Sequence, residues 1–197
     1  MTKAEILTAV QNRTARGSTI TSIDTELLAV LIDITARHPF LKSSEAQSWT
    51  SGTASKDFPT GANRILMVTC QLTAGGDTDP LIEIPFSKYL DKNRSSDSGV
   101  PQYWSVYNNE IYLYPKANDT YTVTVYYSYI HPTSLVSILL GEAFRECVTE
   151  GTVFKWYEGI GRGDAEGVIH KQIYENDLAT LGMRIADQVA DTVSGYY

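Results

Sequence analysis

The sequence is poor in cysteine and histidine and has no long apolar run, and each shortage excludes a class of protein. Its 197 residues contain two cysteines, Cys70 and Cys147, whose separation matches neither a CxxC motif nor a zinc-ligand spacing. The three histidines, His38, His131 and His170, form no HExxH motif. No stretch approaches the roughly 18 uninterrupted apolar residues of a membrane span. We therefore expect free thiols, no metal, no cofactor and no membrane segment.

Basic residues are also in the minority. The chain has 16 Lys and Arg against 23 Asp and Glu, a net charge of -7 at pH 7. A protein that binds nucleic acid through its phosphates needs clustered basic side chains, so the net negative charge excludes that mode of binding. The same charge allows DNA to pass nearby without being bound. The first residues lack the basic start and apolar core of a signal peptide, which predicts a protein made in a cytoplasm.

Catalytic motifs are missing as well. No GxSxG elbow is present, so a hydrolase triad has no anchor in the sequence. The glycines at 159, 161 and 163 resemble a phosphate loop, but Asp164 and Glu166 stand where its last glycine would fall. We therefore predict no catalytic residue and a protein that is not an enzyme.

What the chain does contain is a segment, residues 101–129, in which aromatic and β-branched residues alternate with polar ones. Successive side chains of a strand point to opposite faces, so this alternation predicts a β meander. Asn108 and Asn109 tolerate positive φ and predict a two-residue hairpin turn. The third strand, residues 120–130, is expected to place five residues on one face: Tyr121, Val123, Val125, Tyr127 and Tyr129.

Helical patterns lie on either side of the β segment. Thr2 with Glu5 predicts a capping box at the start of a first helix. Thr21 or Ser22 is expected to cap a second helix, which Pro39 ends because proline cannot continue the hydrogen-bond ladder. The two together predict a helical hairpin.

Two longer helices are predicted after Pro132. Thr133 or Ser134 is expected to cap the first, whose apolar residues extend to Val148. Asp164 is the predicted N-cap of the last helix. Its core-facing stripe is predicted to contain Ile169, Ile173, Leu178, Leu181, Ile185 and Val189.

These patterns predict an α+β protein. An N-terminal helical hairpin (1–47) and two long C-terminal helices (132–190) are expected to form a helical bundle. An antiparallel β-sheet or meander (48–131) is inserted between them, and residues 191–197 form a terminal arm. The length allows a single domain with one substantial core.

Several short stretches follow this order of elements. They are PFL at 39–41, Phe58-Pro59 before a strand at 65–68, Pro101 and Tyr103 before 111–115 and 121–127, and Gly163-Asp164 before a helix to Leu181. In their order and in their residues, these stretches resemble the head-to-tail adaptor (connector or neck) proteins of tailed bacteriophages. The shared features are hydrophobic patterns and turns rather than reactive side chains.

The resemblance implies a structural protein of the virion neck, assembled in the bacterial host cytoplasm. Such proteins form a ring, commonly of twelve subunits, that docks on the portal protein of a DNA-filled capsid. The ring joins the portal to the next tail component, a stopper, nozzle or tail tube, and leaves a lumen for the genome. Neighbouring copies in a ring meet through two different surfaces, which tyrosine-rich strands and helices can supply.

Two segments are predicted to bind partners. The terminal arm ends in two aromatic residues, and its predicted contact residues are Asp191, Thr192, Val193, Ser194, Gly195, Tyr196 and Tyr197. The polar loops at 73–79 and 91–99 are expected to face the next tail component or the lumen, with Lys92, Arg94 and Asp97 as contact residues.

A second function remains open from the residues alone. The tyrosines of the predicted sheet include Tyr103, Tyr107, Tyr112 and Tyr114, which could stack against a glycan or a peptide. A monomer that binds a glycan would distinguish this non-catalytic binding module from a ring-forming adaptor.

Overall fold

The computed structural model describes residues 1–14, 20–95, 97–160 and 165–194, and for 185–194 it describes the backbone. The helices are α1 (Lys3–Arg13), α2 (Asp24–Arg37), α3 (Phe86–Lys92), α4 (Arg145–Gly159) and α5 (Ala165–Ser194). The strands are β1 (Lys42–Trp49), β2 (Ser55–Asp57), β3 (Ala62–Leu72), β4 (Asp79–Pro80), β5 (Ile82–Glu83), β6 (Ser98–Gly99), β7 (Tyr103–Tyr107), β8 (Glu110–Tyr114), β9 (Lys116–Ala117) and β10 (Tyr121–Tyr129). Helices and mainly antiparallel sheets confirm the predicted α+β class. Two compact units result: Met1–Leu41 with Ile130–Tyr197, and Lys42–Tyr129.

Local signals at the ends of α1 and α2 are confirmed in part. Thr2 Oγ1 accepts the N–H of Glu5 at 3.3 Å, and Glu5 Oε2 accepts the N–H of Thr2 at 2.7 Å, which is the predicted capping box. Helix α2 ends just before Pro39, as predicted. The cap predicted at residues 21–22 is one residue too early, because the N-cap residue is Ile23, but Ser22 Oγ does accept the N–H of Asp24, the first residue of α2, at 3.4 Å. Acidic residues in the first turn of α2 also complement the helix dipole.

The helix predicted to begin at residue 133 or 134 is wrong in its first half. Residues 130–141 contain neither helix nor strand. A 3₁₀ turn follows at Glu142–Phe144, and only then does α4 begin. The second half of the prediction is confirmed, because Cys147 and Val148 are buried in α4.

His131 explains why the segment before α4 is not helical. Its buried ring accepts the Leu139 N–H on Nε2 at 3.3 Å, and its Nδ1 must donate to the Pro132 carbonyl oxygen at 2.8 Å. Its own N–H is accepted by Thr35 Oγ1 of α2 at 2.9 Å. These bonds satisfy backbone groups that a helix would otherwise pair, so the segment is stable without helical structure.

The core-facing stripe predicted for α5 is also wrong in its first half. Ile169 and Ile173 are 56% and 38% exposed, whereas Tyr174 and Leu178 are 2% exposed. The reason lies on α4, where Gly151 leaves room for the Tyr174 ring, since a Cβ on that glycine would lie 2.8 Å from it. The stripe is confirmed at Leu178, and the side chains of its last two members lie outside the described residues.

The β unit contains two four-stranded sheets that contribute to one buried cluster. The first has the order β1-β10-β3-β4 and the second the order β2-β8-β7-β5. Both sheets line a core that includes Trp49, Val123, Trp104, Ile111 and Leu113. The β region begins at β1, earlier than the Ser48 start that the sequence predicted.

The predicted meander is correct for its hairpin but not for its third strand. Asn108 and Asn109 have φ of 51° and 61°, which confirms the two-residue turn between β7 and β8. Strand β10 pairs with β1 and β3 and so belongs to the other sheet. Pro115, which directly follows β8, cannot donate a ladder hydrogen bond and favours the departure of the chain from the second sheet.

The predicted apolar face of β10 holds for its first three residues. Tyr121, Val123 and Val125 are buried. An irregularity in pairing with β3 between residues 126 and 127 then changes which side chains face inward, so that Ser128 is buried and Tyr127 is only half-buried. A bulge of this kind cannot be inferred from alternation alone.

Candidate interaction surfaces

Four of the C-terminal contact residues predicted from sequence lie at the end of a long helix. Residues 191–194 continue the backbone of α5, which spans Ala165–Ser194. Gly195, Tyr196 and Tyr197 lie outside the described residues. The structure therefore gives the helix that carries the predicted arm but not the position of its two tyrosines.

Contacts between α4 and α5 show that the two helices run antiparallel. Tyr157, near the end of α4, donates to Glu166 near the start of α5 at 2.7 Å. Glu150 hydrogen-bonds to His170, and Gly151 faces Tyr174. Continued at this register, the first residue of α4 is level with the region around residue 179 of α5. The last part of α5 therefore extends past the start of α4.

A groove lies beside α5 where the end of α2 packs against it. Its volume is about 470 Å³, and its lining residues are Arg37, His38, Glu175, Leu178, Ala179, Gly182 and Met183. The His38 ring covers Gly182, and Met183 is 62% exposed. Arg37 Nη1 donates to Glu175 Oε2 at 2.7 Å across the rim. The groove thus has an apolar floor and a charged edge, which no local sequence motif indicated.

The second predicted contact region, residues 91–99, is more ordered than its polar composition predicted. Helix α3 buries Tyr89 and ends at Lys92, and a 3₁₀ turn follows at Asn93–Ser95. Helix α3 was not predicted, although Pro85 directly before it was a usable signal, since proline favours the position just before or within a first helical turn.

The structure brings two of the three predicted loop residues together. Lys92 Nζ lies 4.5 Å from the ring centre of Tyr103 and 5.6 Å from that of Tyr114. Tyr114 Oη donates to Asp97 Oδ2 at 3.0 Å. Arg94 instead pairs with its neighbour Asp91 at 3.1 Å in open solvent. Lys92 and Asp97 thus fasten the loop to strands β7 and β8, while Arg94 stays outward.

The loop at 73–79 has a different construction. Gly75 and Gly76 adopt φ of 110° and 142°, values that residues with a side chain rarely adopt. Gln71 Nε2 donates to the carbonyl oxygen of Gly76 at 2.8 Å. The residues of this loop are largely exposed, so they form an accessible turn on the β unit.

An ionic network that the sequence did not indicate joins α1, α4 and α5. Arg13 donates to Glu146 at 2.9 Å and also to Glu150, whose other oxygen contacts His170. Glu150 is only 4% exposed. Burial raises the pKa of the nearby Asp177, and the charges of the two glutamates raise it further. The arrangement holds three helices together, and its members are too far apart in sequence for any motif to predict.

Neither cysteine side chain is a reactive thiol. Cys70 and Cys147 are both free and buried. Burial raises the pKa of Cys70 to about 11 and that of Cys147 to about 12, so both are protonated at neutral pH. Within the described ranges, no group of three or more His, Cys, Asp and Glu could hold a metal ion. Among the helices of those ranges, none is both long and apolar enough to cross a membrane.

A family model described as SU10 adaptor protein matches residues 1–195, which is nearly the whole chain. No curated protein sequence matches.

Proposed function

The chain belongs to the SU10 adaptor protein family, and from that premise we propose that it forms a ring between the portal of a phage capsid and the tail. As a bacteriophage adaptor it is a structural protein. In the proposed assembly, commonly of twelve subunits, the ring docks on the portal, binds the next tail component and leaves a lumen for the genome. The observation that carries the proposal is the family match over residues 1–195.

The charge of the chain supports a role beside DNA rather than on it. The net charge is -7, with Asp and Glu outnumbering Lys and Arg. Proteins that bind DNA tightly use clusters of basic side chains and release counterions, and affinity grows with each phosphate contact. An acidic subunit repeated around a lumen would repel the passing phosphates, which favours rapid movement of the genome.

Each subunit of such an adaptor also needs separate surfaces for its different partners. One candidate is the C-terminal segment 191–197, which we propose contacts the portal or a neighbouring subunit through Tyr196 and Tyr197. The other candidates are the loops at 73–79 and 91–99, which we propose contact the next tail component. Contacts of exposed charges such as Arg94 are worth about 1 kcal/mol or less each, so binding would depend on many copies acting together.

The alternative function, a tyrosine platform for glycans, receives less support from the arrangement of the aromatic side chains. Phe86 stacks on Tyr107 with centroids 4.3 Å apart and also contacts Tyr89 and Tyr112. Lys92 lies over Tyr103. A stacking platform needs open ring faces, and these rings already use a face on a neighbour.

The test is electron microscopy of the purified protein mixed with its portal protein. We expect a ring of additional density at one end of the portal. The control is the portal protein alone, which should lack this density. A portal whose outline and mass are unchanged by excess protein contradicts the proposal. Turnover of a peptide, nucleotide or glycan that one point substitution abolishes would contradict the structural role.

A further inference from the structure

We propose that strand β1 receives an extended segment of the next tail component, which adds to the open edge of the first sheet as a further strand. The contact rests on the proposed function and specifies how the β unit would bind its neighbour in the neck. It has one occupant, an extended polypeptide segment of that tail component, and one receiving site, the edge of β1 at residues 42–46.

Strand β1 is the outermost strand of the sheet β1-β10-β3-β4, so it has a paired strand on one side only. It pairs with β10 over all eight residues, Lys42–Trp49, without a shift in register. Residues 42–46 are exposed. Among the described residues, none makes a backbone hydrogen bond to the other side of β1. That side is therefore a regular row of unpaired backbone donors and acceptors.

The carbonyl of Ser48 shows which backbone groups of β1 point outward. Its oxygen accepts a hydrogen bond from Lys56 Nζ of β2 at 2.7 Å. Along a strand of an antiparallel pair, residues alternate between bonding to the partner strand and pointing away from it. Ser44 and Ala46 alternate in step with Ser48, so their N–H and C=O groups also point away from β10.

The pairing on the other side of β10 gives the same orientation. The carbonyl oxygen of Val68 in β3 accepts the N–H of Leu81 at 2.9 Å, so the backbone of Val68 faces away from β10. Val125 of β10 lies opposite Val68 and therefore bonds to β1 instead, where its partner is Glu45. Glu45 thus faces β10, and the residues directly before and after it face outward.

The other edges of the two four-stranded sheets are protected against strand addition. Strand β4 has two residues, one of which is Pro80, and β2 and β5 have three and two. Strand β3 extends beyond β4, but two irregularities interrupt its pairing there. Proteins use short strands, proline and bulges to prevent edges from pairing with other chains. Strand β1 has no proline and no irregularity, so among the described edges it is the one left open.

The chemistry of this edge selects an extended polypeptide as its ligand. Ser44 and Ala46 each offer one N–H and one C=O, and their side chains are small, so an incoming strand meets little steric hindrance. Main-chain hydrogen bonds supply the affinity in strand addition of this kind. Lys42 and Glu45 are the only charged residues of β1 and have opposite signs, so attraction between charges is not what recommends a partner.

A second copy of this chain is a poor occupant. Its own long open edge is β1, and pairing β1 with β1 is an isologous contact that joins two copies and does not continue around a ring. The portal is assigned above to the segment 191–197, which belongs to the helical unit. Strand β1 belongs to the β unit, which carries the loops at 73–79 and 91–99 that we propose contact the next tail component.

The test is amide hydrogen exchange of the full chain, quenched and then measured for each residue by nuclear magnetic resonance. In the free chain, the Ser44 and Ala46 amides should exchange rapidly, whereas the Ser43 and Glu45 amides, which bond to β10, should be protected. In a neck assembled from the chain, the portal protein and the next tail component, we expect exchange at Ser44 and Ala46 to slow by at least about tenfold.

A pair of variants at residue 46 separates the backbone from the side chain. Ala46→Pro removes an outward N–H but no bond to β10, an orientation in which an edge strand tolerates proline. It should still add a ring to the portal but bind the tail component at least about tenfold more weakly. Ala46→Val is the matched control, because it enlarges the side chain, keeps the N–H and should bind as the parent does. Exchange in the unmodified chain decides the question if Ala46→Pro does not fold.

Three results overturn the proposed strand addition. The first is rapid exchange at Ser44 and Ala46 in the complete neck. The second is protection of both amides by the portal protein alone, which would assign the edge to the portal. The third is protection that appears when the chain alone is concentrated, which would assign the edge to a second copy.

The same samples separate failure of the strand contact from failure of the proposed function. If the neck assembles while Ser44 and Ala46 exchange as fast as in the free chain, the strand contact is wrong and the adaptor role stands. If neither the portal protein nor the tail component binds the chain, the proposed function is wrong and the strand contact is wrong with it.

Discussion

The imidazole of His38 occupies the space above Gly182, where a Cβ would lie 2.5 Å from the ring Cε1 and 2.9 Å from Nδ1. Real Cβ atoms do not approach other heavy atoms so closely. The absence of a side chain at one position of α5 therefore determines how closely the end of α2 can pack.

Gly182→Ala is expected to destabilise the protein despite the higher helix propensity of alanine. The propensity gain is about 1 kcal/mol, whereas overpacking of this kind costs about 1–3 kcal/mol. Thermal or urea unfolding should show the loss. Gly159→Ala is the matched control, because its nearest neighbour would be Glu26 Oε1 at 3.9 Å, and it should be neutral or stabilising. Combining Gly182→Ala with His38→Ala should recover part of the loss, and strict additivity would show that the two residues do not interact.

Residue 131 provides a second test, because its ring satisfies backbone groups on both sides of an irregular segment. His131→Ala removes the acceptor of the Leu139 N–H and the donor to the Pro132 carbonyl. We expect a loss of about 2–3 kcal/mol in the free energy of unfolding, from unsatisfied buried groups and a cavity. Val136→Ala in the same segment is the control, since that side chain is 94% exposed and should change stability by less than about 0.5 kcal/mol. Equal effects of the two variants would contradict the role of His131.

Signals that act within a few residues were predictable from this sequence. Thr2 and Glu5 form a capping box, Asn108 and Asn109 adopt the positive φ of a tight turn, and Pro39 lies just past the end of a helix. Each depends on chemistry carried by adjacent residues. Sequence reasoning can therefore place these features without knowing the rest of the fold.

Features that depend on distant partners were not predictable. The exposed positions of Ile169 and Ile173 follow from where Gly151 admits Tyr174, which no periodicity of α5 reveals. The irregular segment after residue 130 has a helical pattern but is held by His131. The candidate groove has the same origin, because its glycine lies on α5 and its histidine directly follows the end of α2. Tertiary contacts override local preference in each case.

Asp177 provides a test that depends on pH. Burial raises its pKa above the ordinary value of 3.8, Glu146 and Glu150 raise it further, and Arg13 opposes them. The folded protein therefore holds this proton more tightly than the unfolded chain, and stability falls as pH rises from about 3.8 through the raised pKa. Asp177→Asn cannot ionise and should be more stable than the parent at pH 7, because it avoids the cost of a desolvated charge beside Glu146 and Glu150.

The difference between Asp177→Asn and the parent should vanish below the ordinary pKa, where the parent carboxyl is protonated in both states. Unfolding followed at several pH values measures it. Glu158→Gln is the control, because Glu158 is exposed and its pair with Lys155 contributes little at any pH. If the stability of the parent and that of the Asp177→Asn variant change in parallel from acidic to neutral pH, the pKa of Asp177 is not raised in the folded protein.

The last prediction concerns the loop that Lys92 and Asp97 fasten to the β unit. Replacing residues 92–97 with a Gly-Ser linker of equal length removes the contact of Lys92 with Tyr103 and the hydrogen bond from Tyr114 to Asp97. These contribute about 1 kcal/mol each, so the β unit should stay folded with a modestly lower melting temperature.

If the loop contacts the next tail component, a phage carrying the replacement should yield capsids with packaged DNA and no tails. Arg94→Ser is the matched control for charge alone, since its pair with Asp91 is in open solvent and should matter little to folding. Fully tailed, infectious particles from the linker variant would show that the loop is ordinary surface, because a folded β unit without the loop would then have lost nothing that assembly needs.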